Sequence, residues 1–163
     1  MAVVDYFLKL DGIDGESKDD KYKDHIQLES WSWGETNASS GHVGSGHGSG
    51  KVSAQDFHFV MKVNKATPKL ILACAEGHHI PNATLIARKA GKGQQDFLKY
   101  KFTDVFVSSF QTGGHAGADT IPTDQISLGY VKMEIEYKEQ QKDGSLGGAV
   151  KTGYDFQANK KLA

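Results

Sequence analysis

The chain of 163 residues contains a single cysteine and only three prolines. Cys74 has no partner within the chain, so no internal disulfide is available, and the sequence reads as that of a protein folded in a reducing compartment. Neither sign of charge is in excess: 19 basic and 20 acidic residues leave a net charge of −1. Without a basic surplus the chain lacks the electrostatic footprint of a nucleic-acid binder. No stretch approaches the roughly 18 apolar residues of a membrane-crossing helix, so membrane insertion is not expected. The start, Met1-Ala2-Val3-Val4-Asp5-Tyr6, has no basic cluster, and Asp5 and Lys9 interrupt its apolar run. An export signal is therefore not expected either.

Catalytic signatures are missing as well. There is no Gly-x-Ser-x-Gly elbow. Gly46-His47-Gly48-Ser49-Gly50-Lys51 resembles a phosphate-binding loop, but that pattern needs glycine at 45 and serine or threonine at 52, where the chain has Ser45 and Val52. The segment also precedes a strand-like run, whereas a phosphate loop opens a helix. Seven histidines are present, yet His78 and His79 are adjacent and cannot share one face of a strand. His42 and His47 sit in a glycine-rich stretch, and no ligand set with metal-site spacing is completed. No metal, cofactor or enzymatic activity is expected.

What the chain does have is glycine, 19 residues of it, and aromatics at 10%. Glycine supplies turn conformations and aromatics favour strands. Alternating patterns predict strands over 3–10, 25–34, 54–63, 83–89, 96–102 with a continuation toward 110, 125–138, and a last one through Val150, Thr152, Tyr154 and Phe156. In 25–34, Ile26, Leu28, Ser30 and Ser32 share one parity and Trp31 and Trp33 the other. Neither parity is cleanly apolar, which points to a switch midway. A second switch is expected near Gly129. Ala90-Gly91-Lys92-Gly93 reads as a hairpin turn. Thr67-Pro68 predicts an N-cap and first residue for one short helix over 68–76, with Gly77 in the left-handed position after it. Cys74 falls on that helix's apolar stripe and reads as a buried thiol. The expectation is a mainly β fold, a small barrel of two sheets with one short α-helix on its side, in one domain over residues 1–163.

Residues 34–50 form a glycine-rich loop carrying Gly34, Gly41, Gly44, Gly46, Gly48 and Gly50. Such a segment buries little apolar surface and costs much entropy to order, so it does not stabilise the fold. Its length exceeds the common range for compact domains, which leaves a functional role or plain disorder as the two explanations. Trp31 and Trp33 read as packing residues turned into the core. Ser30 and Ser32 then look out.

Taken together, Asp14-Gly15-Glu16-Ser17-Lys18-Asp19, Ser30-Trp31-Ser32-Trp33-Gly34, Gly50-Lys51-Val52, Thr67-Pro68-Lys69-Leu70, Ala73-Cys74, Arg88-Lys89-Ala90-Gly91, Ser108-Ser109 and Gly153-Tyr154-Asp155 resemble the haemolysin-coregulated protein (Hcp) family of bacterial type VI secretion systems. The pattern covers nearly the full length. The resemblance implies a hexameric ring with a wide channel, rings stacked into a tube inside a contractile sheath, and a trimeric spike at the tip. Sheath contraction drives the tube out, and small effector proteins ride in the channel. It further implies a subunit that is cytoplasmic before assembly and then secreted without a signal peptide, and a chain ending at Ala163 without an added toxin domain. Ser30 and Ser32 become channel-facing candidates. Gly41, His42, Val43, Gly44, Ser45, Gly46, His47 and Gly48 become candidates for contacts between stacked rings. Two other readings stand beside this one: a small-ligand, carbohydrate-like binding barrel using Trp31 and Trp33, and a metal-dependent enzyme using the loop histidines.

Overall fold

The computed structural model describes residues 3–37, 51–90, 93–117 and 120–162. Among these residues twelve strands and one helix follow in order: β1 (Val4–Leu10), β2 (Ile26–Gln27), β3 (Ser30–Ser32), β4 (Glu35–Asn37), β5 (Val52–Ala54), β6 (Phe57–Lys62), α1 (Ala66–Glu76), β7 (His79–Lys89), β8 (Gln95–Gly113), β9 (Thr123–Gly129), β10 (Lys132–Gln140), β11 (Leu146–Asp155) and β12 (Lys160–Lys161).

The nineteen-residue β8 is the spine. One edge pairs with β7, from Lys89↔Gln95 to His79↔Phe106. The other edge pairs first with β10, between Leu98 and Thr103, and then with β9, between Phe106 and Gly113. At the changeover Asp104 takes φ 56°, a left-handed conformation that short polar side chains tolerate. The chain breaks opposite it at Tyr130-Val131. The bend also moves the buried phase of β8 from Phe102 to Val105 and Val107. The run predicted over 125–138 is therefore two strands with a break, where a bulge was expected.

Beyond the bend the sheet has two arms. One runs β12-β11-β10-β8-β7-β1-β2, and the other runs through β9 and β6 to β3. Phe102 from the first meets Phe57 from the second with ring centroids 4.9 Å apart. One core holds Leu8, Leu85 and Phe102 together with Phe57, Phe59 and Ile126.

The predicted strand over 25–34 also divides between the arms. β2 pairs with β1 and β3 with β6. Leu28 donates its N–H to the Tyr6 carbonyl at 3.0 Å, and Glu29 donates to the Val60 carbonyl at 2.8 Å. The step from one arm to the other falls between them. Ile26 and Leu28 are consequently buried while Ser30 and Ser32, of the same parity, are exposed. This step is the midway switch that the mixed parity of the run predicts.

Among the described residues the fold is mainly β with one helix, but its ladders do not close into a barrel, because β2 pairs there only with β1 and β3 only with β6. The second sheet is not a barrel wall either. It is the separate two-stranded ribbon β4–β5, register Glu35↔Ala54 to Asn37↔Val52. The predicted loop thus starts as a strand, and its glycine-rich part from 38 to 50 lies outside the described residues.

The helix begins two residues earlier than predicted, at Ala66, and Thr67 is not its N-cap. Lys65 occupies that position with no side-chain capping bond. Asn64 Oδ1 accepts from the Ala66 N–H at 2.8 Å, and the Thr67 hydroxyl donates to Asp124 Oδ2 at 2.6 Å, tying the first turn to β9. Gly77 ends the helix at φ 64°, as its glycine predicts.

Candidate functional site

Strand alternation turns one side of the β3-β6-β9-β8 arm to the core and the other away. Cross-strand registers assemble the outward side row by row. Ser32 pairs with His58, His58 with Ser127, and Ser127 with Ser109. Next to this row run Ser30, Val60, Gln125 and Gln111. Neither row contains a carboxylate, lysine or arginine. Hydroxyls and amides dominate, and His58 is the single titratable group, its Nδ1 lying 3.1 Å from the Ser127 hydroxyl. Charges begin only at the margin, where Lys62 meets Glu29 at 3.6 Å. Such a face can exchange hydrogen bonds with water or a passing protein surface without selecting for charge.

The tryptophans hold this face from behind. The Trp31 ring packs 5.4 Å from Tyr100, 5.9 Å from Tyr6 and 6.1 Å from Phe57. Trp33 also leans on Tyr100, and its indole N–H donates to the Tyr130 hydroxyl. Tyr130 in turn donates to the Gln55 carbonyl at 2.7 Å, and Gln55 returns its N–H to the Gly34 carbonyl at 2.8 Å. Burial pushes the Tyr130 phenol up to about 12. This chain of bonds fixes the root of the β4–β5 ribbon. Both rings are half-buried against the core, so the pair is not an open stacking platform for a sugar.

The remaining sequence candidates scatter. Gly41, His42, Val43, Gly44, Ser45, Gly46, His47 and Gly48 lie outside the described residues. The run after Lys51 is the strand β5, so the glycine segment does not open a helix. His79 Nε2 sits 3.1 Å from Asp104, and among the described residues no group of three His, Cys, Asp or Glu side chains is placed to hold a metal. Cys74 is half-buried against the core and not fully buried as predicted. Among the described residues no helix is long and apolar enough to cross a membrane.

Two features were not read from the sequence. The first is an exposed end of the core-facing side of the other arm. Tyr6, Ala87, Leu98, Tyr137 and Val150 stand opposite one another on five successive strands. The arm carrying β6 does not cover the far end, leaving Tyr137 44% and Val150 71% exposed. The second is an arginine clamp. Arg88, 2% exposed, grips Asp19 in a fork with bonds of 2.9 and 2.6 Å and stacks over Phe7 and Tyr22. Tyr22 also bonds Asp96. The clamp fastens the polar segment after β1 to the outer face of the sheet, and hydrogen bonding to Arg88 holds the Asp19 carboxyl down at about 2. Position 88 in an alternating β7 shows only that the arginine points away from the core. Its partners, more than sixty residues distant, leave no local signal.

Known proteins share this geometry. Residues 7–137 match the family model described as "Type VI secretion system effector, Hcp". The chain is 40% identical to Protein hcp1 of Pseudomonas aeruginosa over 158 residues, covering 96% of this chain and 97% of that protein. It is similar to the crystal structure of Hcp1 from Salmonella typhimurium, with a TM-score of 0.83, 40% identity, and coverage of 99% of this chain and 100% of that one. A solved type six secretion system protein overlays with a TM-score of 0.93 at 32% identity, covering 98% of this chain and all of the other. The chain therefore belongs to the Hcp family, the structural, non-enzymatic tube proteins of type VI secretion systems.

Proposed function

We propose that this chain, acting as one domain over residues 1–163, assembles into a hexameric ring whose channel is lined by the outward face of β3, β6, β9 and β8, with Ser30 and Ser32 in that lining. Rings stack into a tube, a contractile sheath surrounds it, a trimeric spike tips it, and small effector proteins travel inside. The subunit is cytoplasmic until assembly and leaves the cell with the tube. The observation that carries this reading is the composition of the two polar rows. A wall that must hold different proteins and release them is served by small hydroxyls and amides, which form replaceable hydrogen bonds and bury little apolar area.

Ring closure requires a heterologous contact, one surface of each subunit against a different surface of the next. The exposed row ending in Tyr137 and Val150 supports assigning one half of that contact, since aromatic and aliphatic side chains dominate interface cores. Residues 41–48, carried on the ribbon, make contacts between stacked rings in this reading. Native mass spectrometry and negative-stain imaging of the purified protein test it: rings of six with an open centre are expected. Ser32→Glu is expected to leave the rings intact while changing which effector co-purifies. Monomers alone at micromolar concentration and physiological salt overturn the assignment.

A further inference from the structure

On the opposite side of the core from the serine rows, the outward face of β8, β10 and β11 carries a different chemistry. Its registers alternate charge across the strands. Lys101 stands opposite Glu134, which stands opposite Gly153. In the next row Lys99 stands opposite Glu136, which stands opposite Lys151. Leu162, just after β12, closes the far side. The result is an open groove of about 430 Å³. Gly153 belongs to its floor: a Cβ there would lie 3.0 Å from both Glu134 Cγ and Leu162 Cδ1, filling the gap between them.

The charges in this groove do not cancel. Three lysines, Lys99, Lys101 and Lys151, face two glutamates, a local excess of one positive charge on a chain whose net charge is −1. Glu136 is already shared, 3.7 Å from Lys138 and 3.6 Å from Lys151. Lys99 and Lys101 have no carboxylate within 4 Å among the described residues. We propose that this groove docks an acidic polypeptide segment of a partner protein, held by Lys99 and Lys101 and seated against Leu162.

The pattern fits separate carboxylates better than a polyphosphate chain. Lys99 and Lys151 lie two strands apart, roughly 9–10 Å at the usual strand spacing, with Glu136 between them. A continuous phosphate backbone crossing the strands would meet Glu134 and Glu136, whereas acidic side chains can reach the lysines one at a time. Lysine is a point charge on a flexible stem and suits such contacts. An apolar wall at Leu162 adds a contact that a peptide side chain can use. The charge excess and the groove stand without the ring reading. Only the direction rests on it: if the serine rows line the channel, the lysine groove faces the outside of the tube, where an enclosing partner would meet it.

The test uses the full-length protein and a fluorescein-labelled peptide of alternating Glu and Leu, followed by anisotropy at low and moderate salt. K99E/K101E is expected to weaken binding by at least roughly tenfold, about the effect of one lost charge-assisted contact. E134Q, which removes a competing carboxylate, is expected to tighten it. K18E/K69E, two exposed lysines elsewhere, is expected to change little. Native mass spectrometry of the same variants separates this proposal from the ring assignment. If K99E/K101E loses the peptide while its assembly state matches the parent, the docking groove stands, even should the parent prove monomeric. Equal binding by K99E/K101E and the parent overturns it. So does equally tight, equally lysine-dependent binding of a labelled single-stranded oligonucleotide, or collapse of assembly in K99E/K101E, which would make the groove a contact between copies.

Discussion

Trp31→Ala against Ser32→Ala puts the orientation of the Trp-Ser-Trp strand on an energetic footing. The two side chains are neighbours in sequence and point to opposite sides of one strand. Full truncation of a buried aromatic costs about 3–5 kcal/mol. Trp31 is half-buried, but it touches Tyr6, Tyr100 and Phe57 from three strands, so about 2–3 kcal/mol is the appropriate scale. At the sensitivity of a domain this size, about 2–4 °C per kcal/mol, the melting temperature should fall by about 5–10 °C. Ser32 is exposed and donates no hydrogen bond within the described residues, so its truncation belongs with surface changes within about ±0.5 kcal/mol. Urea denaturation followed by circular dichroism supplies both midpoints without relying on tryptophan fluorescence. Trp31→Phe is the control, and should recover part of the loss by keeping the contacts to Tyr100 and Phe57. Equal shifts for Trp31→Ala and Ser32→Ala, at unchanged denaturant slopes, would mean that the strand has no energetically distinct inner side.

Three further outcomes follow from the same geometry. Asp19, held at about 2 by hydrogen bonding to Arg88 against an ordinary 3.8, favours the folded state above pH 3.8 and loses that contribution as pH falls from there to about 2; Asp19→Asn should therefore flatten the stability profile of acid titrations in that window and nowhere else. Val150→Glu, alone or with Tyr137→Glu, places charge on an exposed apolar row and should shift native mass spectra from rings to monomers while leaving the circular dichroism spectrum intact; unchanged rings would remove this row from the subunit contact. Replacing residues 41–48 with a short Gly-Ser linker should preserve ring mass and melting temperature but abolish tube assembly and secretion, and normal secretion would reduce the segment to a tolerated insertion.

The sequence was legible where a pattern is local. Alternation located the longer strands but not the short β4, β5 and β12, the glycine at 77 marked the helix end, and the opposing parity of Trp31 and Ser32 separated inside from outside. It failed where a segment changes partners. Residues 25–34 and 125–138 each read as one interrupted strand, because strand pattern records which face is buried and not which neighbour supplies the hydrogen bonds. Ile26 and Ser30 share parity yet differ in burial, since the step across Leu28 and Glu29 resets the face. Thr67 misled for a related reason: its hydroxyl satisfies the capping rule in sequence but is taken by Asp124, fifty-seven residues away. The Arg88 clamp and the lysine groove depend wholly on such distant registers.

The glycine opposite Phe106 shows how that dependence shapes the bend itself. Gly129 pairs with Phe106, and a Cβ at 129 would fall within 2.2 Å of the Phe106 ring. The aromatic ring thus lies over the glycine, on the outward face, immediately beside the break at Tyr130-Val131 and the left-handed Asp104. Three departures from regular strand geometry converge on one point of a hairpin that is otherwise paired from Leu98 to Gly113, apart from a bulge at Ser108. A straight hairpin would carry β9 and β10 in one plane and leave Phe57, Phe59 and Ile126 without the opposing Phe102. Turning it there brings the two arms over a common core, and it is the same turn that sets the serine rows and the lysine rows back to back. The position of the bend along β8, more than the identity of any residue on either face, decides that one strand can present a charge-free surface at Ser109 and Gln111 and a cationic one at Lys99 and Lys101.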